Sequence, residues 1–467
     1  MFMVAVIVLS AWGLTEPGGL TLSCLVLSPV VVLSIYLCRR IDPRDTMDLA
    51  SIFLLGVTLR WVCAALIHIL IYPTLPGLFG PDEIWYDDAA RYYTEYLHGR
   101  VPDPFPGSYA GGVIWLSSAF YFVFGWMPIM PKFMNGILGA WAGVFTALIA
   151  ERIFSRTVAK RAGYIAAVVP SLVLWSSINT KDTATLFGAA LSLIAFLHLR
   201  EKARPMLWAL FFAGLLYTAS NRPYEIVFIG FGVMASFALA DPKRIVRNVI
   251  LAAVLGTALM FLFKAVGAFD LSTGSDQSTL DRINMYRVGY AEGTGSAIDY
   301  NMIDTSTPAG IAAWTPIGLG YFWLAPFPFS GGSIISLATS PEMIIWYLLL
   351  PSMVRGLRLA VQKRTRLVTP VLAYVMVSSV GWAIVITNVG TLYRYRAQVM
   401  FLPLICMAAD QIRREHAAHL KAVAARPTPA PRFSLPVPVP ATAVATTAST
   451  TPIRLPEIAA SQQASGT

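Results

Sequence analysis

Charge is scarce in this sequence. Only 13% of its 467 residues are Asp, Glu, Lys or Arg, against 56% that are hydrophobic. So few charges cannot cover the surface of a soluble protein of this length, and the composition points to a polytopic membrane protein. Cysteine is scarce too. Cys24, Cys38, Cys63 and Cys406 lie in or beside apolar stretches with no C-x-x-C pair, which argues against a disulfide framework or a zinc site. The five histidines are dispersed, and there is no G-x-S-x-G, Walker A or strand-borne G-x-G-x-x-G motif. Hydrolase, ATPase and nucleotide-sugar readings therefore lose support. The opening MFMVAVIVLSAWGL lacks a basic n-region and a small-residue cleavage site, so it reads as a retained helix. The net charge of +10 has no aromatic-interleaved basic cluster behind it. It matches the loop bias of membrane proteins and gives no sign of a nucleic-acid partner.

Apolar runs at 2–14, 19–38, 48–72, 133–150, 160–177, 183–199, 205–220, 224–240, 246–268, 343–361, 367–387 and 393–410 predict an all-α protein with about twelve transmembrane helices. Two further stretches, 108–126 and 311–328, are rich in Gly, Pro and aromatics and read as re-entrant or interfacial. With that assignment most loop arginines and lysines fall on one side, in 39–44, 152–161, 200–204, 243–247, 355–366 and 413–421. That side is cytoplasmic by the positive-inside rule. The acids, the isolated basic residues and the long loop 269–310 then share the outer face. The chain divides into N-terminal spans 1–72, an outer loop with the acidic motif 73–132 and a transmembrane core 133–268. An outer loop with a re-entrant segment follows at 269–341, then C-terminal spans 342–412 and a tail 413–467. The tail's Ala/Pro/Thr bias predicts a disordered cytoplasmic segment.

Residues 80–93, GPDEIWYDDAARYY, gather Asp82, Glu83, Asp87 and Asp88 beside a predicted span. They read as a short amphipathic helix begun at Pro81, with Trp85, Tyr92, Tyr93 and Tyr96 suited to the headgroup layer. Acids in a first helical turn also serve as plain partners of the helix dipole. The other reading is a general base or a metal-binding carboxylate, held where a lipid-borne substrate arrives. Asp82 is expected to matter most, while Asp87 and Asp88 are expected to face water. Lys181-Asp182 opens the next apolar run, either as a cap with a snorkelling lysine or as a second carboxylate converging on Asp82. Arg222 sits at a helix break in Asn221-Arg222-Pro223-Tyr224-Glu225. Arg394 and Arg396 flank Tyr395 in NVGTLYRYR, next to Tyr393. Such planar forks suit phosphate oxygens, whether of a specific substrate or of ordinary lipid headgroups. Arg60, in the middle of an apolar run, requires a buried partner.

Across residues 48–240 these motifs resemble the GT-C superfamily of polyprenyl-phosphate-sugar-dependent glycosyltransferases. The branch most similar holds protein mannosyltransferases, lipid A aminoarabinose transferases and rhizobial lipopolysaccharide core transferases. Asp82-Glu83-Ile84-Trp85-Tyr86 resembles the family's D-E-x-x-Y motif in the first large outer loop. Asp182 resembles its second outer-loop acid, and Arg222-Pro223-Tyr224-Glu225 a later Arg-Pro-x-Glu. The resemblance implies a GT-C-like fold in a bacterial cytoplasmic membrane with its active site outside. It implies an inverting transfer from a polyprenyl-phosphate sugar to a glycan, lipid or protein acceptor. Asp82, Glu83 and Asp182 are then the catalytic candidates, with a first-loop carboxylate as base. Lys181, Arg222, Glu225, Tyr393, Arg394 and Arg396 are the substrate-binding candidates, the basic groups holding the lipid phosphate. A divalent cation, Mg or Mn, has room in this scheme. The GTLYRYR block and the loop 269–310 are also similar to those of lipid-linked polysaccharide polymerases, so a polymerase or ligase stays open. A polysaccharide transporter is the third alternative, although it predicts internal repeats, and none is visible.

Overall fold

Helices account for nearly all the regular structure. The computed structural model describes residues 19–80, 82–103, 111–238, 246, 250, 279–292, 296–328 and 334–424. The expected spans at 2–14 and 246–268, the start of the long outer loop and the tail beyond residue 424 lie outside the described residues, apart from positions 246 and 250. In chain order the helices are α1 (Leu20–Ile41), α2 (Leu49–Leu66, prolonged by a π-helical turn Ile67–Ile71), α3 (Asp82–Leu97) and α4 (Gly111–Phe124). Then come α5 (Ile129–Ile153), α6 (Arg156–Val168), α7 (Pro170–Trp175), α8 (Lys181–Leu199), α9 (Pro205–Asn221) and α10 (Glu225–Ala238). The last are α11 (Thr279–Ala291), α12 (Pro308–Leu324), α13 (Ile334–Val385), α14 (Val389–Arg396) and α15 (Phe401–Ala424). Among the described residues the only β feature is an isolated bridge between Ala297 and Asn388.

Among the described residues, five helical stretches are long and apolar enough to cross a membrane: Leu20–Ile41, Leu49–Ile71, Ile129–Ile153, Lys181–Leu199 and Thr339–Val385. The chain is thus a multi-pass membrane protein. The other expected spans are shorter, more polar or outside the described residues. The run 160–177 is interrupted at Pro170, which has no N–H to extend α6 and instead opens α7. The runs 343–361 and 367–387 lie on two helical pieces of α13 that meet at a kink at Arg364, where the backbone leaves the helical conformation. The run 393–410 is divided by a 3-10 turn at Ala397–Val399, so Tyr393, Arg394 and Arg396 lie on the short α14. Both Gly/Pro/aromatic stretches are helical. At 14 residues, α4 reaches only about 21 Å, short of a ~30 Å hydrocarbon core.

The described residues through Ala417 form one compact unit, and α5 is its hub. Its apolar window is 89% buried against 33% for α1, so protein, not lipid, surrounds α5. Small residues permit this. A methyl group on Gly139 would sit 2.6 Å from Arg60 Nε, so the glycine leaves the slot that Arg60 fills. There Arg60 donates to Ser176 Oγ at 2.7 Å and to the Gly56 and Ala167 carbonyls at 3.0 Å. Its partners are therefore neutral oxygens, and the sequence had not named them.

The two ends of the bundle differ in chemistry. At one end the loops carry basic clusters on acids: Lys160 on Asp48 at 2.6 Å, Arg152 on Glu201 at 2.7 Å, and Arg355, Arg413 and Arg414 around Asp410. The 19 residues of α8 lead from Leu199 at that end to Lys181 at the other, a rise of about 28 Å. All the acidic motif residues lie at the far end.

Candidate active site

The acidic stretch forms α3, and its helical period sorts its carboxylates. Glu83, Tyr86, Asp87, Ala90 and Thr94 share the buried face. Tyr86 and Ala90, with Ala89, pack on Val113, Ile114 and Tyr121 of α4 and on Leu138 of α5. Glu83 is 4% exposed and pairs with Lys132 Nζ at 2.9 Å. It also accepts from the Asn179 backbone at 3.3 Å, while the Lys132 ammonium lies 4.3 Å over the Tyr72 ring. A carboxylate so engaged anchors the helix. Asp82, on the other side, keeps 38% of its side chain exposed.

Asp87 departs from expectation. It is buried, and it accepts hydrogen bonds from Tyr121 Oη and Trp126 Nε1. The i, i+4 relation to Glu83 carries it into the same interface, and burial pushes its carboxyl above the usual range. Only Asp88 faces water as expected, in a loose 3.8 Å pair with Arg91.

Arg394 joins the acids. Its Nη2 lies 2.7 Å from Asp82 Oδ2 and its Nε 3.2 Å from Asp182 Oδ2. Asp182, at the first turn of α8 and 2% exposed, also accepts from Arg222 Nη2 and, at 3.0 Å, from Gln398 Nε2. The short α14 holds Arg394 in place, its N-terminus capped by Asn388 Oδ1 on Thr391 N at 2.8 Å. Arg222 lies at the break between α9 and α10, fully buried, 3.8 Å over the Tyr395 ring. Glu225 is buried and accepts from Tyr374 Oη at 3.2 Å. Lys181 is buried as well, 5.9 Å from the Tyr86 ring centre; it does not snorkel. Beneath Asp182, a cavity of about 20 Å³ reaches Arg60 and is lined by Trp175, Ser176, Thr183 and Gln398. Trp175 Nε1 and Gln398 Oε1 lack partners among the described residues, and the space suits one ordered water.

Asp82, Asp182, Lys181, Arg222, Glu225 and Arg394 therefore converge, with Glu83 alongside. Arg396 and Tyr393 do not join them. Two positions from Arg394 on a helix, Arg396 points elsewhere and donates to the Trp323 and Ala325 carbonyls at 3.1 and 2.9 Å. Tyr393 donates to Glu342 at 3.0 Å. Lys132, Gln398 and Tyr395 belong to the site environment, and sequence reasoning passed over them. For Lys132 a signal existed: a lysine at the start of the apolar run PKFMNGILGAWAG.

Chemically the cluster offers one half-exposed carboxylate, a buried carboxylate beneath it and two guanidinium groups. Such a set can take a proton from a hydroxyl and hold an anionic leaving group. As a metal site it fits poorly, since Arg394 stands between the two carboxylates.

No protein-family model matches the chain, and no curated protein matches it. Among solved structures, the chain is similar to the archaeal oligosaccharyltransferase AglB from Archaeoglobus fulgidus in complex with an inhibitory peptide and a dolichol-phosphate. The identity is 14% and the TM-score 0.44, covering 80% of this chain and 52% of that one. The apo form of the Archaeoglobus fulgidus oligosaccharyltransferase gives 14% identity and a TM-score of 0.45 over the same shares. Its complex with Zn and sulfate gives 15% and 0.43, over 79% of this chain and 50% of that one. This chain spans about half the length of those proteins.

Proposed function

We propose that this chain is a GT-C-type membrane glycosyltransferase. In this reading it moves a sugar from a polyprenyl-phosphate donor to a glycan, lipid or protein acceptor at the outer face of a bacterial cytoplasmic membrane. The observation that carries the reading is the meeting of Asp82, Asp182, Arg222 and Arg394 at the end of the bundle opposite the basic loops. The positive-inside rule makes the basic end cytoplasmic and the cluster external.

The roles follow from exposure. Asp82 is the carboxylate an incoming acceptor hydroxyl can reach. It takes the hydroxyl proton as the acceptor oxygen bonds to the anomeric carbon. The bond from that carbon to the lipid phosphate oxygen breaks, and the lipid phosphate leaves with the electron pair. Arg394 and Arg222 face the charge that develops there. Asp182 holds both guanidinium groups in position, and Glu83 with Lys132 fixes the helix that carries Asp82.

The test supplies purified protein and radiolabelled polyprenyl-phosphate sugars to membranes from a strain lacking the gene. Label entering an acceptor, and failing to enter with Asp82→Asn, supports the reading. Membranes that gain no label from any donor contradict it.

A further inference from the structure

The two carboxylates marked for chemistry are bridged by an arginine, and that arrangement leaves little for a metal to do. Arg394 engages Asp82 Oδ2 and Asp182 Oδ2, while Arg222 and Gln398 hold Asp182 Oδ1. Asp82 Oδ2 and Asp182 Oδ1 thus already accept from nitrogen donors, and Asp182 Oδ2 lies in ion-pair contact with Arg394 Nε at 3.2 Å. A hard divalent cation seeks about six oxygen ligands, several of them anionic or water, and here it would have to displace a guanidinium. Among the described residues no group of three His, Cys, Asp or Glu side chains is placed to hold a metal.

Charge leads to the same result. By formal charge Arg222, Arg394 and Lys181 match Asp82, Asp182 and Glu225 one for one, and the two arginines pair directly with Asp82 and Asp182. Two further positive charges in surroundings this buried would stay uncompensated, at a large desolvation cost. The guanidinium is also well fixed for the task, because α14 is capped at Asn388 and Arg394 keeps only 11% of its side chain exposed.

We infer that Arg394 occupies the place of a divalent cation: it fixes the Asp82–Asp182 pair and faces the donor phosphate, so the protein works without a metal. This deepens the glycosyltransfer reading and rests on it. A guanidinium suits this place because its planar fork presents donors in fixed directions, here Nη2 toward Asp82 and Nε toward Asp182. The inference implies that removing the fork uncovers a latent metal site.

The test titrates EDTA-treated protein in lipid nanodiscs with Mn²⁺, followed by electron paramagnetic resonance, and runs labelled sugar transfer in parallel. Wild type is expected to show no Mn²⁺ site that depends on Asp82, and its transfer survives EDTA. Arg394→Ala is expected to gain one Mn²⁺ site, which is lost again in the Arg394→Ala/Asp82→Asn double variant. A wild-type Mn²⁺ site abolished by Asp82→Asn overturns the inference. So does transfer that EDTA stops and Mn²⁺ restores, or a folded Arg394→Ala protein that gains no site. If Arg394→Ala does not fold, Arg394→Gln is read by the same criteria. The Mn²⁺ titration decides this inference without any transfer, whereas absence of transfer from every donor strikes the glycosyltransfer reading alone.

Discussion

Arg394 donates to Asp82 at 2.7 Å across 312 positions of sequence, fastening the acidic helix α3 to the short helix α14. The same guanidinium reaches Asp182, so three distant motifs meet on one side chain.

Asp82→Asn is expected to lower sugar transfer by about 10²–10⁴-fold, the usual scale for a lost general base. Stability should hardly change, because a pair with 38% of one side chain in water contributes about 0–1 kcal/mol. A transfer assay beside a thermal melt in detergent checks both halves. A variant that melts normally and transfers at the wild-type rate removes Asp82 from the chemistry.

Asp182→Asn should behave differently. It leaves Arg222 and Arg394 buried with one carboxylate fewer, and breaking such a pair costs about 3–5 kcal/mol. The expected result is a large drop in melting temperature together with lost transfer. A melt like that of wild type would show that Asp182 does not hold the arginines.

Glu83 and Lys132 provide a cycle. Glu83→Gln strands a lysine that is 1% exposed, and about 3–5 kcal/mol of destabilisation is expected. Adding Lys132→Met removes the stranded charge and should recover most of the loss. Independent, additive effects in the melts would mean that the pair does not anchor α3.

Asp87 gives a dependence on pH. Its carboxyl is raised above 3.8, first by burial, so between that value and the raised one the folded state binds more protons than the unfolded state. Stability then falls as pH rises through that window. Relative to Asp87→Asn, which cannot titrate there, wild type should gain stability as pH is lowered from 7 toward 4. A constant difference in melting temperature over that range contradicts the burial argument.

Arg394 and Arg396 separate the two enzyme readings that the sequence left open. Arg394→Gln should weaken donor use and slow transfer. Arg396→Met should leave the donor KM unchanged and cost about 1–3 kcal/mol of stability, since the Trp323 and Ala325 carbonyls lose their donor. Equal kinetic defects in both variants would return the pair to phosphate binding, as a polymerase requires.

Much of this was legible in the sequence. The charge asymmetry of the loops and the D-E, Lys-Asp and Arg-Pro-x-Glu motifs marked the residues that meet, because charges beside apolar runs are costly without a partner. Asp87 was misplaced because a surface helix was expected to turn its acids to water. Yet Glu83, Asp87, Ala90 and Thr94 follow the helical period of a buried face. Arg394 and Arg396 looked equivalent because adjacency in sequence hides the roughly 200° between alternate helix positions. Gln398 was invisible, since only a 3-10 turn after α14 carries it onto Asp182. The breaks at Pro170 and Ala397 likewise divide runs that hydropathy alone joins.

The most direct test of the central claim is mass spectrometry of lipid-linked and surface glycans from a deletion strain, complemented with wild type or with Asp82→Asn. The account predicts that the deletion strain accumulates a glycan lacking one sugar. Wild type restores that sugar, and Asp82→Asn, inserted at normal levels, does not. Accumulation of single repeat units that Asp82→Asn rescues would contradict it and make the DEIWYDD helix a surface feature only.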